Sequence, residues 1–304
     1  MAQQSGKLFV LDGINQDLLR GGNNDDIVRG TRDKPWVWNG RRGVIQLRGG
    51  DDLIEGGRFV RLYGETVLGK GRDHVTGRDS ITLLAVDQFN GSLSMGAGPD
   101  RLVVTDGLLQ VGEDSRLTTD DGSDRIEASS ISVLGGWIDA GEGNDRLLLG
   151  NGSLSIALGN VTLGAGRDRL IARGGLRLSD GSCRLGSSDD LVDVRGGGLD
   201  YWDSPTNLLD LGPGNDRMIG FASAPDQHPS VDLGAGLRGG KGRDTLVLTT
   251  GVYQVVGDRI STADSFLPVA GINVLAGING GSFAYRPGTL TVDETGVATF
   301  VADL

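Results

Sequence analysis

The sequence predicts an all-β protein, a right-handed parallel β-solenoid of the β-helix or β-roll kind, with about ten coils of roughly 24 residues and a C-terminal β cap. Three observations predict it. A Gly-x-Gly-x-Asp-x-apolar turn recurs at a nearly fixed interval, short period-two strands fill the intervals, and no segment shows the 3.6-residue period of a helix.

The recurrence comes first. Aligned on Asp, the copies are Gly21-Gly-Asn-Asn-Asp25-Asp-Ile27, a weaker Gly50-Asp-Asp52-Leu-Ile54, Gly69-Lys-Gly-Arg-Asp73-His-Val75 and Gly96-Ala-Gly-Pro-Asp100-Arg-Leu102. A variant, Asp120-Asp-Gly-Ser-Asp124-Arg-Ile126, precedes Gly141-Glu-Gly-Asn-Asp145-Arg-Leu147 and Gly164-Ala-Gly-Arg-Asp168-Arg-Leu170. The last three are Gly186-Ser-Ser-Asp-Asp190-Leu-Val192, Gly212-Pro-Gly-Asn-Asp216-Arg-Met218 and Gly240-Lys-Gly-Arg-Asp244-Thr-Leu246. Their aspartates step by 27, 21, 27, 24, 21, 23, 22, 26 and 28 residues. One interval then makes one coil, and ten coils at the strand spacing give a rod roughly 50 Å long. A many-stranded sandwich is the competing all-β arrangement, but it does not call for a fixed period.

The strands come second. Arg146-Leu-Leu-Leu, Ser153-Leu-Ser-Ile-Ala-Leu and Val161-Thr-Leu fill one interval, and Arg169-Leu-Ile-Ala, Leu176-Arg-Leu-Ser and Cys183-Arg-Leu fill the next. Each coil is therefore expected to carry three strands, whose inward Leu, Ile and Val stack into one core. The near-copies Asn90-Gly-Ser-Leu-Ser and Asn151-Gly-Ser-Leu-Ser suggest recurring corners as well.

Composition agrees. Gly makes up 53 of 304 residues, well above the usual share of about 7%. Pro is only 8, which excludes collagen and Pro-rich linkers. The net charge of -11 gives the chain no general attraction to nucleic acid, and clustered carboxylates suit divalent cations better. A single cysteine, Cys183, excludes an intrachain disulfide and reads as a small packed residue. No window approaches 18 continuous apolar residues, so no membrane span is expected. Residues 1–19 lack a basic stretch followed by an apolar one, so export is expected to use another signal.

The turn has its own chemistry. Gly at two positions two apart lets the backbone take positive φ and aim successive carbonyls at one spot, and the Asp adds a carboxylate beside them. Ca²⁺ takes six to eight such oxygens at about 2.3–2.6 Å. In a solenoid the turn recurs one strand spacing above, so an ion can bridge two coils. The apolar residue two after Asp points inward.

These residues resemble the RTX (repeats-in-toxin, hemolysin-type) nonapeptide, Gly-Gly-x-Gly-x-Asp-x-apolar-x. Gly239-Gly-Lys-Gly-Arg-Asp-Thr-Leu246 matches it in full, and Asp17 and Asp25 lie eight apart with Asn15 and Asn23 in a glycine slot. The resemblance spans residues 12–246. It implies a calcium-binding parallel β-roll with Ca²⁺ held by Asp17, Gly21, Asn23, Asp25, Gly69, Gly71, Asp73, Gly96, Gly98, Asp100 and Asp124. The later ligands it implies are Gly141, Gly143, Asp145, Gly164, Gly166, Asp168, Asp190, Gly212, Gly214, Asp216, Gly240, Gly242 and Asp244. The chain departs from the family in spacing: the family repeats every nine residues, whereas here one motif falls in each coil. One edge rather than two would carry ions. A metal-free solenoid whose Asp residues only cap the turns is the bland reading of the same pattern.

Arginine flanks the motif, after Asp at Arg101, Arg125, Arg146, Arg169 and Arg217 and before it at Arg72, Arg167 and Arg243. Alternation sends the first set outward. They form either a docking strip for anionic polysaccharide or ion pairs with neighbouring acids, and their charge weakens calcium binding at adjacent corners.

Residues 1–250 are expected to form the solenoid and 251–304 the cap, with Thr289-Leu-Thr-Val and Val297-Ala-Thr-Phe-Val as a hairpin. The tail is similar to C-terminal domains of cyanobacterial-type surface proteins, and the RTX resemblance implies a type I secretion signal at its end. His74 and His228 have no partners at zinc-ligand spacing, and Gly-x-Ser-x-Gly and Walker loops are absent. No catalytic constellation is found. The expected function is a secreted or cell-surface, calcium-binding structural protein. A polysaccharide-active β-helix enzyme and a metal-independent solenoid stacking end to end into a filament are the alternatives.

Overall fold

The computed structural model describes residues 6–86, 89–201, 204, 206–221 and 236–303, and of Tyr201 only the backbone. Among these residues there is no helix. The strands form three long sheets of 13, 9 and 15 strands, which are the faces of a parallel β-solenoid.

One coil shows the plan. Arg146–Leu149 lies in the first sheet, Leu154–Ala157 in the second and Asn160–Ala165 in the third, after which Arg169–Ala172 re-enters the first sheet one layer on. Arg146–Leu149 pairs with Arg169–Ala172 in parallel and without slip. Among the described residues, nine coils carry all three strands. A tenth carries Arg217–Ile219 and Gly236–Arg238, on the first and third faces.

The strands form because alternate residues are apolar and β-branched or leucine, so one face of each can be buried. The apolar residue two after each corner Asp makes a continuous column: Val28, Ile54, Val75, Leu102, Ile126, Leu147, Leu170, Val192, Met218 and Leu246 lie in register, each at most 2% exposed. Burying one such side chain is worth about 1.5–3 kcal/mol. Cys183 occupies the matching column of the third sheet, between Val161 and Leu209. It is a free thiol that burial pushes up to about 12.

The two Asn-Gly-Ser-Leu-Ser copies do not share a corner. Ser92–Ala97 is a third-sheet strand, whereas Leu154–Ala157 belongs to the second sheet. The physical reason is that register follows the inward column: Leu93 aligns with Thr66 and Leu117, and Leu154 with Ile131 and Leu176.

From Gly251 the pairing turns antiparallel. Gly251–Val256 pairs with Arg259–Ser261 and with Gly288–Val292, and Gly288–Val292 pairs with Ala298–Ala302 as the expected hairpin. Two strands of this region still stack in parallel on the solenoid: Phe266–Ala270 on Gly236–Arg238 and Ile272–Gly277 on Asp244–Leu248.

Candidate functional site

The Gly-x-Gly-x-Asp turns all fall at the corner between the third and first sheets. In the coil that ends on Asp145, Gly141 and Gly143 have φ of +95° and +149°. The coils also sit close here: a Cβ on Gly143 would stand 1.2 Å from the Gly122 carbonyl oxygen. Only glycine fits both the dihedral and the approach. Three coils place another residue in a left-handed slot of this turn, namely Arg48 at +82°, Asp120 at +61° and Ser188 at +92°.

The turn delivers each Asp to the end of the first-sheet strand. Asp26, Asp52, Asp73, Asp100, Asp124, Asp145, Asp168, Asp190, Asp216 and Asp244 are each at most 4% exposed and stand in one row along the corner. Each backbone N–H donates to Oδ1 of the next Asp in the row, at 2.7–3.0 Å, from Asp26 to Asp244. Asp244 in turn donates to Oδ1 of Asn273 at 2.6 Å.

An outer row runs beside it in the opposite sense. Asp25, Asp51, Asn144, Asp189 and Asn215 each accept the backbone N–H of the residue one coil on, at 2.8–3.1 Å. The corner is thus stitched twice by side-chain-to-backbone bonds.

The stitching leaves half of each buried carboxylate idle. Oδ2 of Asp52, Asp73, Asp100, Asp124, Asp145, Asp168, Asp190, Asp216 and Asp244 is buried with no hydrogen-bond partner. Asp26, at the start of the row, differs, because its Oδ2 accepts the Gly22 N–H at 2.7 Å. Burial raises these carboxyls, and the N–H donated from the preceding coil only partly offsets it. Asp100 and Asp190 are pushed up to about 8, Asp52, Asp145 and Asp216 to about 7, and Asp73, Asp124 and Asp168 to about 6.

Repulsion along the row adds to this. Two unit charges one strand spacing apart, about 4.8 Å, repel by about 3 kcal/mol at an effective dielectric of about 20. Without cations beside it, the row therefore keeps protons on part of its carboxyls near neutral pH, Asp100 and Asp190 first.

The donor set fits a hard cation. It consists of carboxylate and carbonyl oxygens, without sulfur or imidazole, and the idle Oδ2 atoms recur once per coil. No group of three Asp, Glu, His or Cys side chains converges on one point among the described residues. An ion here would draw one carboxylate from a coil and fill its shell from backbone oxygens and the adjoining coil.

The structure brings most of the expected residues together and displaces four. Gly69, Gly71, Gly96, Gly98, Gly164, Gly166, Gly212, Gly214, Gly240 and Gly242 lie in the turns of the row, with the aspartates from Asp73 to Asp244. Asp25 is exposed in the outer row, and Asp26 takes the buried place. The reason is register: Val28, not Ile27, aligns inward with Ile54, and the row's Asp stands two residues before the inward side chain. Gly21 and Asn23 shift with it, leaving Gly22 and Asn24 in the turn. Asp17 lies at the start of a third-sheet strand, at another corner, where the Asn15 side chain bonds both its N–H and its carbonyl.

Asp26, the end residue Asn273 and the full weight of Asp52 were missed. Asp25-Asp26-Ile27-Val28 allows two registers, Arg48 hides the glycine slot before Asp52, and Asn273 has no glycine turn at all.

The arginines divide. Arg101 and Arg125 both pair with Glu127, Arg101 at 3.1 Å, and Arg167 pairs with Asp189 at 3.7 Å. Arg146, Arg169 and Arg217 are exposed and make no ion pair among the described residues. Arg72 and Arg243 stand at the outer row, held there by their backbone N–H groups. His74 is alone in the outward column of the first sheet, next to Arg101, and burial lowers its pKa. His228 lies outside the described residues.

No protein-family model and no curated protein matches the chain. Among solved structures, it is similar to the crystal structure of a hyperactive, Ca²⁺-dependent, β-helical antifreeze protein from an Antarctic bacterium. The two share 17% identity over 80% of this chain and 71% of that one, with a TM-score of 0.47.

Proposed function

We propose that the protein is a secreted or surface-exposed structural protein that binds Ca²⁺ along one edge, the ions stapling successive coils of the solenoid. The observation that carries this reading is the row of buried, partnerless Oδ2 atoms, one per coil over nine consecutive coils. Nine stacked acids without a counter-charge are costly to bury, and a divalent ion between coils offsets both the desolvation and the repulsion. Residues Gly69, Gly71, Asp73, Gly96, Gly98 and Asp100 would hold one such ion, and the turn recurs up to Gly240, Gly242 and Asp244, with Asp120 and Ser188 in place of a glycine in two of its copies. Binding would then be part of folding: the chain leaves the cell loosely folded and sets where calcium is plentiful. The acids of the repeat are taken up by the turn, which supports a structural rather than a catalytic role.

The test is circular dichroism and thermal melting in EGTA, followed by millimolar calcium. Calcium at a hundredfold its dissociation constant adds about 2.7 kcal/mol per site. The expected result is a melting temperature that climbs with calcium. A β signal and melting temperature unchanged by calcium would overturn the reading.

The second reading, a solenoid that needs no metal, is favoured by one observation. The Asp-to-Asp N–H ladder already closes each corner. It predicts a protonated row and a calcium-blind melt, so the same titration separates the two.

A further inference from the structure

We propose that the outer face of the first sheet, on its Arg146 and Arg169 side, is a docking strip for an extended acidic polysaccharide. The register builds the strip. Arg101, Arg125, Arg146 and Arg169 stand directly opposite one another on four consecutive strands, and Arg217 follows two strands further on, after Leu191.

Like charges facing each other across neighbouring strands are unfavourable. Glu127 relieves the first two arginines. Among the described residues the others are not relieved: Arg146, Arg169 and Arg217 are exposed and make no ion pair there. On a chain of net charge -11, whose acids are plentiful, this stretch stays uncompensated. Asp193, in register with Ile171, is buried and bound by its own Arg195 at 2.6 Å.

Beside the arginines runs a second outward column in which Leu148 and Ile171 are neighbours in register. The face therefore offers a line of cations edged by a short apolar strip. A uronic-acid polymer has the matching form: one carboxylate per ring, repeating at roughly the strand spacing of about 4.8 Å, with apolar ring faces between the charges. Guanidinium binds carboxylate in a two-pronged fork, so the carboxylates that face the strip can each meet an arginine. Duplex nucleic acid fits less well, because it needs a broad basic surface and this strip is one residue wide.

The experiment is fluorescence anisotropy of a labelled oligogalacturonate with the full chain, with its methyl ester and a DNA duplex as comparison probes. It is run at low salt both in EGTA and in calcium, far-UV circular dichroism shows in which the wild-type chain is folded, and the binding is read there. The variant is Arg146→Ser with Arg169→Ser, both exposed and outside the core and the corner, and far-UV circular dichroism checks the fold. Binding of the oligogalacturonate, none of the methyl ester, and a tenfold or greater weakening in the double variant are expected. Equal affinity in the variant, equal binding of the methyl ester, or tighter binding of the duplex would each overturn the proposal. A melt that ignores calcium would overturn the calcium reading above and leave this one standing, since the coils that carry the strip would then be folded without ions.

Discussion

Stripping the protein of cations and moving the pH from 8 to 5 perturbs the corner row almost alone. Surface carboxylates have titrated by pH 5, whereas eight row aspartates from Asp52 to Asp216 sit between about 6 and 8. Their pKa values are raised above the unfolded value of about 3.9, so in this window the folded state binds more protons than the unfolded state. Stability without cations is thus fully present at low pH and is lost as the pH climbs through the folded values. Each proton held only by the folded state contributes a slope of about 1.4 kcal/mol per pH unit.

If only two of the eight behave this way, the slope is about 3 kcal/mol per unit. For 304 residues the unfolding entropy is about 0.6 kcal/mol per degree, which makes this about 5 °C per pH unit. His74, whose value burial lowers, acts in the opposite direction but is one group. Calcium bound as proposed would replace the protons and reverse the trend, raising the melting temperature more at pH 8 than at pH 5. The assay is differential scanning calorimetry at both pH values, in EGTA and in calcium. A cation-free melt that is flat from pH 5 to 8, or equal calcium gains at both, would refute the reasoning.

Further outcomes follow from the same geometry. Asp145→Asn keeps the Oδ1 acceptor for the Asp124 N–H, as Asn273 does at the end of the row, and removes a buried charge. In EGTA at pH 8 it should raise the melting temperature, and in calcium it should reduce the gain, both read by the same melts. Ser188→Gly relieves a φ of +92° and should stabilise by about 1 kcal/mol in a urea titration, unlike a substitution at an ordinary surface site. Gly143→Ala drives a Cβ into the Gly122 carbonyl and should cost about 3 kcal/mol or more, seen as lost hydrogen-exchange protection around the Asp145 corner. Leu147→Ala empties a site 1% exposed in the central column and should cost about 2–5 kcal/mol by the same titration.

Much of the fold was legible because a solenoid is almost one-dimensional. Each coil contacts its neighbours along the axis, so the period of the Asp residues sets the coil and the alternation in Arg146–Leu149 and Asn160–Ala165 sets the faces. Legibility failed where the local pattern allowed two registers. Asp25-Asp26-Ile27-Val28 is one case, and the duplicated Asn-Gly-Ser-Leu-Ser, whose copies land on different faces, is another. In both, stacking against the coils above and below chose the register, because a slip of one residue would turn a buried side chain outward.

The sequence by itself determined the parallel coils, the inward column two residues after each Asp, and the confinement of the motif to one edge. These follow from local rules of period and turn. Only the tertiary structure decided which oxygen of each carboxylate is used and which stands idle, since that depends on the N–H of a residue some two dozen positions away. It also decided that Asp26 and Asn273 belong to the row, and that Arg146 and Arg169 pair with no acid among the described residues while Arg101 and Arg125 share Glu127. Hydrogen bonds and charge pairs form between coils, and the spacing between coils varies from 21 to 28 residues, so only the stacked chain brings the partners face to face.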